Sequence, residues 1–170
     1  MQKIVITGGP SIGKTTVIEI LAARGYSTVP EAARIVIEEE TIKGTDSLPW
    51  GNRAKFQELV FKKQLTLEAE ASRETVFIDR GILDGVAYCK YANVPVPPAM
   101  YTLEKNRYDK IFILNSLGIY EEDGIRSRTL EDAEKLHQLI EEVYEEFGYQ
   151  PIAVPVLPPE DRVNFILEKI

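Results

Sequence analysis

The stretch Gly8-Gly9-Pro10-Ser11-Ile12-Gly13-Lys14-Thr15-Thr16 constrains this chain more than any other. It satisfies G-x-x-x-x-G-K-S/T, a glycine loop whose backbone N–H groups cradle phosphate when a strand precedes it and a helix follows. Both neighbours are present. Lys3-Ile4-Val5-Ile6-Thr7 is an apolar, β-branched run that predicts a buried strand over 3–7. Val17, Ile18, Ile20, Leu21 and Ala22 predict a helix from Lys14 onward. Glycines allow positive φ and a close approach of main chain to ligand. The N–H groups of residues 8–16 then form an anion nest, closed by the positive end of the helix. In that geometry Lys14, expected in a solvated loop where its ammonium buries little, reaches the β- and γ-phosphates, and the Thr15 hydroxyl ligates a Mg²⁺ ion that keeps several waters. The loop predicts ATP or GTP with Mg²⁺ as cofactors. It does not say what happens to the nucleotide.

The rest of the chain repeats a strand–helix alternation. Ser27-Thr28-Val29 predicts a short second strand, and Glu31 opens a helix to about Lys43. An acid in a first turn suits the helix dipole. Glu31 also stands at the end of a strand beside the phosphate loop, the edge where open α/β sheets bind ligands. Residues 53–73 form a long helix with Phe56, Val60, Leu67 and Ala71 on its core-facing stripe. Gln57, Phe61 and Gln64 share an adjacent stripe. Two amides around an aromatic ring suit a planar ligand; a partly exposed face with one core Phe explains the same spacing.

Thr75-Val76-Phe77-Ile78 predicts another parallel strand, ending in Asp79-Arg80-Gly81. An acid directly after an apolar strand is where a second magnesium-holding carboxylate of a phosphate-loop protein lies. Asp79 and Thr15 are therefore the candidate metal ligands, with Arg80 beside them. Residues 83–91 read as a helix, 93–98 as a loop, 110–114 as a strand. Gly118 and Gly124 then bracket an acidic segment ending in Arg126 and Arg128, a pattern suited to a lid over 118–128 that closes on phosphate. A solvated loop whose arginines pair with its own acids fits equally well. Helix 130–147, strand 152–154 and helix 161–170 complete five strands alternating with helices. This is one α/β domain, a doubly wound parallel sheet covered on both faces.

At 170 residues the chain has enough length for a single sizeable core. Its net charge of −7 argues against a general nucleic-acid surface. No apolar run approaches a membrane span, the first strand starts too early for a signal peptide, and the expected location is the cytoplasm. Cys89, the one cysteine, reads as a small buried hydrophobe. His137, the one histidine, falls on the charged side of its helix and reads as solvated.

With those residues in hand, the chain resembles the nucleoside- and nucleotide-kinase-like branch of the phosphate-loop proteins. More narrowly, it looks like the AAA-type ATPase-domain family that includes the kinase domain of nicotinamide riboside kinases. The resemblance rests on GGPSIGKTT at 8–16, VPEAAR at 29–34, LPWGNRAKFQ at 48–57, FIDRGILDGVAY at 77–88 and DGIRSRTLEDAEKLHQLI at 123–140. It implies a five-stranded kinase sheet with a short lid. It implies that Glu31 takes the proton of an acceptor hydroxyl, as the matching carboxylate does in deoxyribonucleoside kinases. Asp79 and Arg80 would serve the metal and the transferring phosphate, and Arg126 and Arg128 would cover the phosphates. Gln57, Phe61 and Gln64 would line an acceptor pocket together with Glu31 and Arg80. Many such relatives carry a second domain, none is expected in these 170 residues, and the acceptor is therefore not expected to be inherited with the resemblance. The leading expectation is an ATP-dependent kinase acting on a nucleoside or nucleoside-like alcohol. A nucleotide-binding ATPase or GTPase switch and a nucleoside triphosphate hydrolase use the same loop and remain alternatives.

Overall fold

The computed structural model describes residues 1–102, 106–116 and 129–170. The elements, in chain order, are β1 Gln2–Thr7, α1 Lys14–Ala23, β2 Ser27–Val29, α2 Ala32–Lys43, α3 Arg53–Glu70 and β3 Thr75–Asp79. They continue with α4 Ile82–Ala92, α5 Pro98–Tyr101, β4 Lys110–Leu114, α6 Leu130–Glu146, β5 Ile152–Val154 and α7 Pro159–Leu167. The strands pair in parallel in the order β2-β3-β1-β4-β5.

Side chains on a strand alternate between its two faces, and the core divides accordingly. Val5, Val76, Ile78, Ile111 and Ile113 pack under α4 and α6 with Val86, Leu136, Ile140 and Tyr144. Their neighbours Ile4, Ile6, Phe77, Phe112 and Leu114 pack under α1 and α7 with Val17, Leu21, Val163 and Ile166. Strands buried on both faces read as continuous apolar runs, and so they do here. A third cluster, Val36, Ile37, Leu48 and Phe56, joins α2 to α3. The connection after β1 runs to one face of the sheet and the connection after β3 to the other. A crevice therefore opens between the carboxyl ends of these two neighbouring strands, where doubly wound sheets take their ligands.

Some boundaries differ from the sequence reading. A short helix, α5, forms where the proline-rich connection ends, with Pro98 at its start, a position that needs no backbone N–H. The interior stripe of α3 is also different. Val60 and Leu67 are half-buried, whereas Gln57, Phe61, Gln64 and Glu68 are buried, so the helix turns its amide stripe inward. Cys89 is fully buried, and burial pushes its thiol up to about 11. Among the described residues no helix is long and apolar enough to cross a membrane.

Candidate active site

The phosphate loop leaves β1 at Gly8, whose φ of 127° lies where side chains rarely go. A Cβ there would come within 2.5 Å of Ile12 Cδ1 and 3.0 Å of the Leu114 carbonyl. Gly13, also at positive φ, caps α1. Lys14 is buried, contrary to its expected place in a solvated loop, because its stem folds back so that Nζ donates to the Gly9 carbonyl. Burial, then Arg80, lowers its pKa to about 7. A triphosphate, bringing negative charge, would restore the ammonium.

Two helices grip the loop from opposite sides. From α7, Arg162 Nη1 donates to the Ile12 carbonyl at 2.7 Å, while its Nε and Nη2 are buried without a hydrogen-bond partner among the described residues. From α6, His137 Nδ1 accepts the Gly9 N–H at 3.1 Å. The expectation that His137 is solvated is therefore wrong. Its helix lies along the loop, and the imidazole, half-buried, meets a backbone donor 128 residues away.

The second half of the site hangs from β3. Asp79 ends the strand beside Ile6 of β1. Its carboxylate is buried and has no hydrogen-bond partner among the described residues. Burial, then Glu31, raises its pKa to about 6. Arg80 adopts the left-handed conformation, φ 67°, a strain that clusters at functional turns. Its backbone N–H donates to the Ile6 carbonyl at 3.1 Å. Its guanidinium donates to the Gly8 carbonyl at 3.1 Å, to Glu31 Oε1 at 3.1 Å and to Asp84 Oδ1 at 3.3 Å. Burial works against that charge, but Tyr88, Glu31, Asp84 and Asp79 outweigh it and hold the guanidinium above its ordinary pKa.

Glu31 precedes α2 without capping it by its side chain. The carboxylate turns instead toward Arg80 and accepts from Arg34 Nε at 3.1 Å through Oε2. Lys14, Glu31, Asp79 and Arg80 thus converge at the carboxyl edge of β1, β2 and β3. Thr15 stands exposed in the first turn of α1.

A cavity of about 380 Å³ opens next to Glu31 and Arg80, between α2, α3 and α4. Phe56, Phe61, Tyr88 and Tyr91 form walls, Gln57 and Gln64 supply amides, and Trp50, exposed, forms part of the rim. The Gln57 amide has no hydrogen-bond partner among the described residues. Gln64 differs: both N–H groups are used, one on Glu68 Oε1 and one on the Arg80 carbonyl, each at 3.1 Å, leaving only its carbonyl oxygen for a ligand. The lid expected over 118–128, with Arg126 and Arg128, lies outside the described residues.

Asp84 carries a role that the sequence reading did not assign. Its two oxygens accept from Arg80, from Thr7 Oγ1 at 2.5 Å, from the Gly81 N–H at 3.0 Å and from Tyr144 Oη at 2.7 Å. The signal was its place one helical turn after Arg80. Breaking a buried ion pair from one side costs about 3–5 kcal/mol, so Asp84→Ala is expected to lose about that much stability in urea unfolding. A loss under about 1 kcal/mol would show that Arg80 is held without it.

Sheet order and glycine loop define a phosphate-loop protein with a kinase-like fold. An AAA-domain family model matches residues 3–162, and the chain belongs to that family. The solved structure of NadR protein in complex with NR is similar at TM-score 0.74 and 20% identity, over 98% of this chain and 51% of that one. Deoxyadenosine kinase from M. mycoides with bound dATP is similar at TM-score 0.61 and 19% identity, over 99% and 98%. Thymidylate kinase from Candida albicans is similar at TM-score 0.63 and 16% identity, over 99% and 90%. At these identities the likeness shows the fold. The chain spans about half the length of NadR. No curated protein matches it in sequence.

Proposed function

We propose that this protein is an ATP- and magnesium-dependent kinase that transfers the γ-phosphoryl group to a hydroxyl of a nucleoside or nucleoside-like molecule. The observation that carries this is the cavity beside Glu31 and Arg80, which a nucleotide switch has no need to build. Its aromatic walls and the Gln57 amide suit a planar base, and Glu31 stands where the sugar hydroxyl of such a ligand would reach. Kinases of deoxyadenosine and thymidylate, and a NadR structure holding NR, share the fold and support an acceptor of this class.

Phosphoryl transfer asks the protein for positioning and charge neutralisation. The loop amides and Lys14 bind the phosphates. Thr15 and Asp79 fit a magnesium ion, since Asp79 offers a buried carboxylate without a hydrogen-bond partner among the described residues and the nucleotide's own oxygens would complete the shell. When bound, that ion supplies positive charge to the phosphate oxygens. Glu31 orients the acceptor hydroxyl and receives its proton. Arg80 holds Glu31 and the loop in one geometry and, with Arg126 and Arg128 by resemblance, adds positive charge near the transferring group.

The Asp79 shift makes a pH prediction. A carboxyl raised to about 6 carries its proton below that pH, and a protonated acid does not ligate a cation. Magnesium affinity in the nucleotide complex should weaken by up to tenfold per unit as pH falls below about 6. Magnesium titrations of wild type and Asp79→Asn at pH 5 and 7.5 test it. Equal pH dependence in both would remove Asp79 from the metal site.

The function itself is tested with purified protein, ATP and magnesium against a panel of nucleosides, nucleotides and nucleoside-like vitamins, following phosphorylated product and ADP separately. A phosphorylated acceptor supports the kinase. ADP formed at the same rate with and without every acceptor would mean a hydrolase, and nucleotide binding without turnover would mean a switch.

A further inference from the structure

We propose that His137 is a positioning residue of the phosphate loop: its neutral imidazole holds the Gly9 N–H, and with it the residue whose carbonyl seats Lys14, so that a histidine on α6 sets nucleotide affinity. The inference rests on reading the loop as a triphosphate site. It goes beyond that reading by assigning a role to a residue outside the loop motif.

Gly9 N–H can only donate, so His137 Nδ1 is the acceptor and the ring proton sits on Nε2. The Gly9 carbonyl accepts from Lys14 Nζ. The Gly8–Gly9 peptide is thus polarised from both ends, by His137 at its N–H and by Arg80 at the Gly8 carbonyl, and the two bonds strengthen each other, while the Gly9 carbonyl that seats Lys14 belongs to the next peptide. Gly9 lies against α6 closely enough to crowd a side chain. A Cβ on Gly9 would stand 3.1 Å from the Ala133 carbonyl and 3.2 Å from His137 Cβ. The loop's second glycine is therefore explained by α6, and α6 carries the acceptor that fixes the peptide's orientation.

Protonation would turn Nδ1 into a donor facing a donor, and would place a positive charge near Lys14. Burial, then Lys14, lowers the pKa of His137 below its ordinary value, keeping the ring neutral at neutral pH. Among the described residues the charged group that acts on it is Lys14 from the loop, and Glu134 and Glu141 stand one turn before and after it on α6. Because the folded pKa is depressed, the clamp is complete above the ordinary histidine pKa and is lost as pH falls through the folded value.

His137 is the sole histidine, so nitrogen NMR of the full chain reads it without ambiguity. The expected result is an Nε2–H tautomer with a pKa below 6.5, and a Gly9 amide signal that shifts with the same midpoint. Calorimetric binding of a non-hydrolysable ATP analogue with magnesium gives the second reading. His137→Ala should bind about tenfold more weakly than wild type at pH 7.5. His137→Asn, whose Oδ1 can take the Gly9 N–H, should stay within about threefold of wild type and lose the part of the acid fall in affinity whose midpoint matches the His137 titration, keeping the part that follows Asp79. An Nδ1–H tautomer, wild-type affinity in His137→Ala, or equal weakness in both variants overturns the proposal. If His137→Ala does not fold, wild-type NMR and His137→Asn decide it. A wild-type protein that binds no triphosphate fails the nucleotide reading and the affinity role together, while the NMR result separately tells whether the clamp exists.

Discussion

Replacing Lys14 with methionine is expected to cost phosphoryl transfer at least about 10²–10³-fold, the loss typical of removing one preorganised donor from a developing charge. The structure separates this from a folding defect. Lys14 is buried, and burial works against its ammonium. Lowering a lysine's pKa in the folded state means that the unfolded chain binds more protons. The stability penalty is full below about 7 and fades as pH rises toward 10.5. Methionine keeps the length of the stem and removes the charge. The nucleotide-free variant should therefore melt at or above the wild-type temperature at pH 7, with the difference closing at high pH. Wild type should gain thermal stability from ATP analogue and magnesium by mass action, and the variant should lose most of that gain. A variant that melts well below wild type without nucleotide would mean that the Lys14–Gly9 contact holds the fold itself. A variant with an undiminished nucleotide shift and undiminished turnover would take the phosphates away from this loop.

The parts of this site that were legible in the sequence are those written in contiguous residues. Residues 3–16 state a strand, a glycine loop and a helix start in one run, and each β-branched segment states a strand buried on both faces. Asp79-Arg80 follow such a strand directly, so their edge could be assigned without a fold. What was not legible depends on packing between distant segments. Lys14 read as solvated because a loop was assumed to be so; its burial comes from folding back on Gly9 under α6. His137 lies in the polar stretch of its helix by pattern, yet α6 crosses the loop at that residue. On α3 the stripe 57, 61, 64, 68 is polar by composition and still faces inward. Glu68 there meets Lys3 at 3.2 Å, Arg107 at 2.8 Å and Tyr108 Oη at 2.9 Å, partners that only the tertiary fold brings together. Buried polar groups are kept when fully paired, and the pairing is invisible to a periodicity. The lesson for Gln64 runs the other way. The stripe it belongs to lines the cavity, but that residue has spent its donors on Glu68 and Arg80.

Glu31→Gln is expected to lower transfer to the acceptor by about 10²–10⁴-fold while leaving nucleotide affinity nearly unchanged. The carboxylate follows Pro30 at the end of β2, does not cap α2, and points at the cavity that would hold the acceptor. One oxygen accepts from Arg80 and the other from Arg34. Glutamine keeps the size and can keep the first of these bonds through its own carbonyl oxygen. Its amide nitrogen then faces Arg34, whose side chain is 49% exposed. Arg80 retains Asp84 and the Gly8 carbonyl, so the site stays assembled. What the substitution removes is the ability to take a proton, together with one negative charge beside Asp79. That second loss should lower the Asp79 pKa, since Glu31 is one of the groups raising it. The variant should therefore hold magnesium to a lower pH than wild type does, even as it transfers phosphate slowly. Single-turnover transfer and magnesium titration on the same sample read both effects. Transfer within a few-fold of wild type would put the acceptor's proton on another group. A collapse of magnesium and nucleotide binding would instead place Glu31 in the metal site and hand the acceptor role to Asp79, whose elevated pKa suits a group that gains a proton in the reaction.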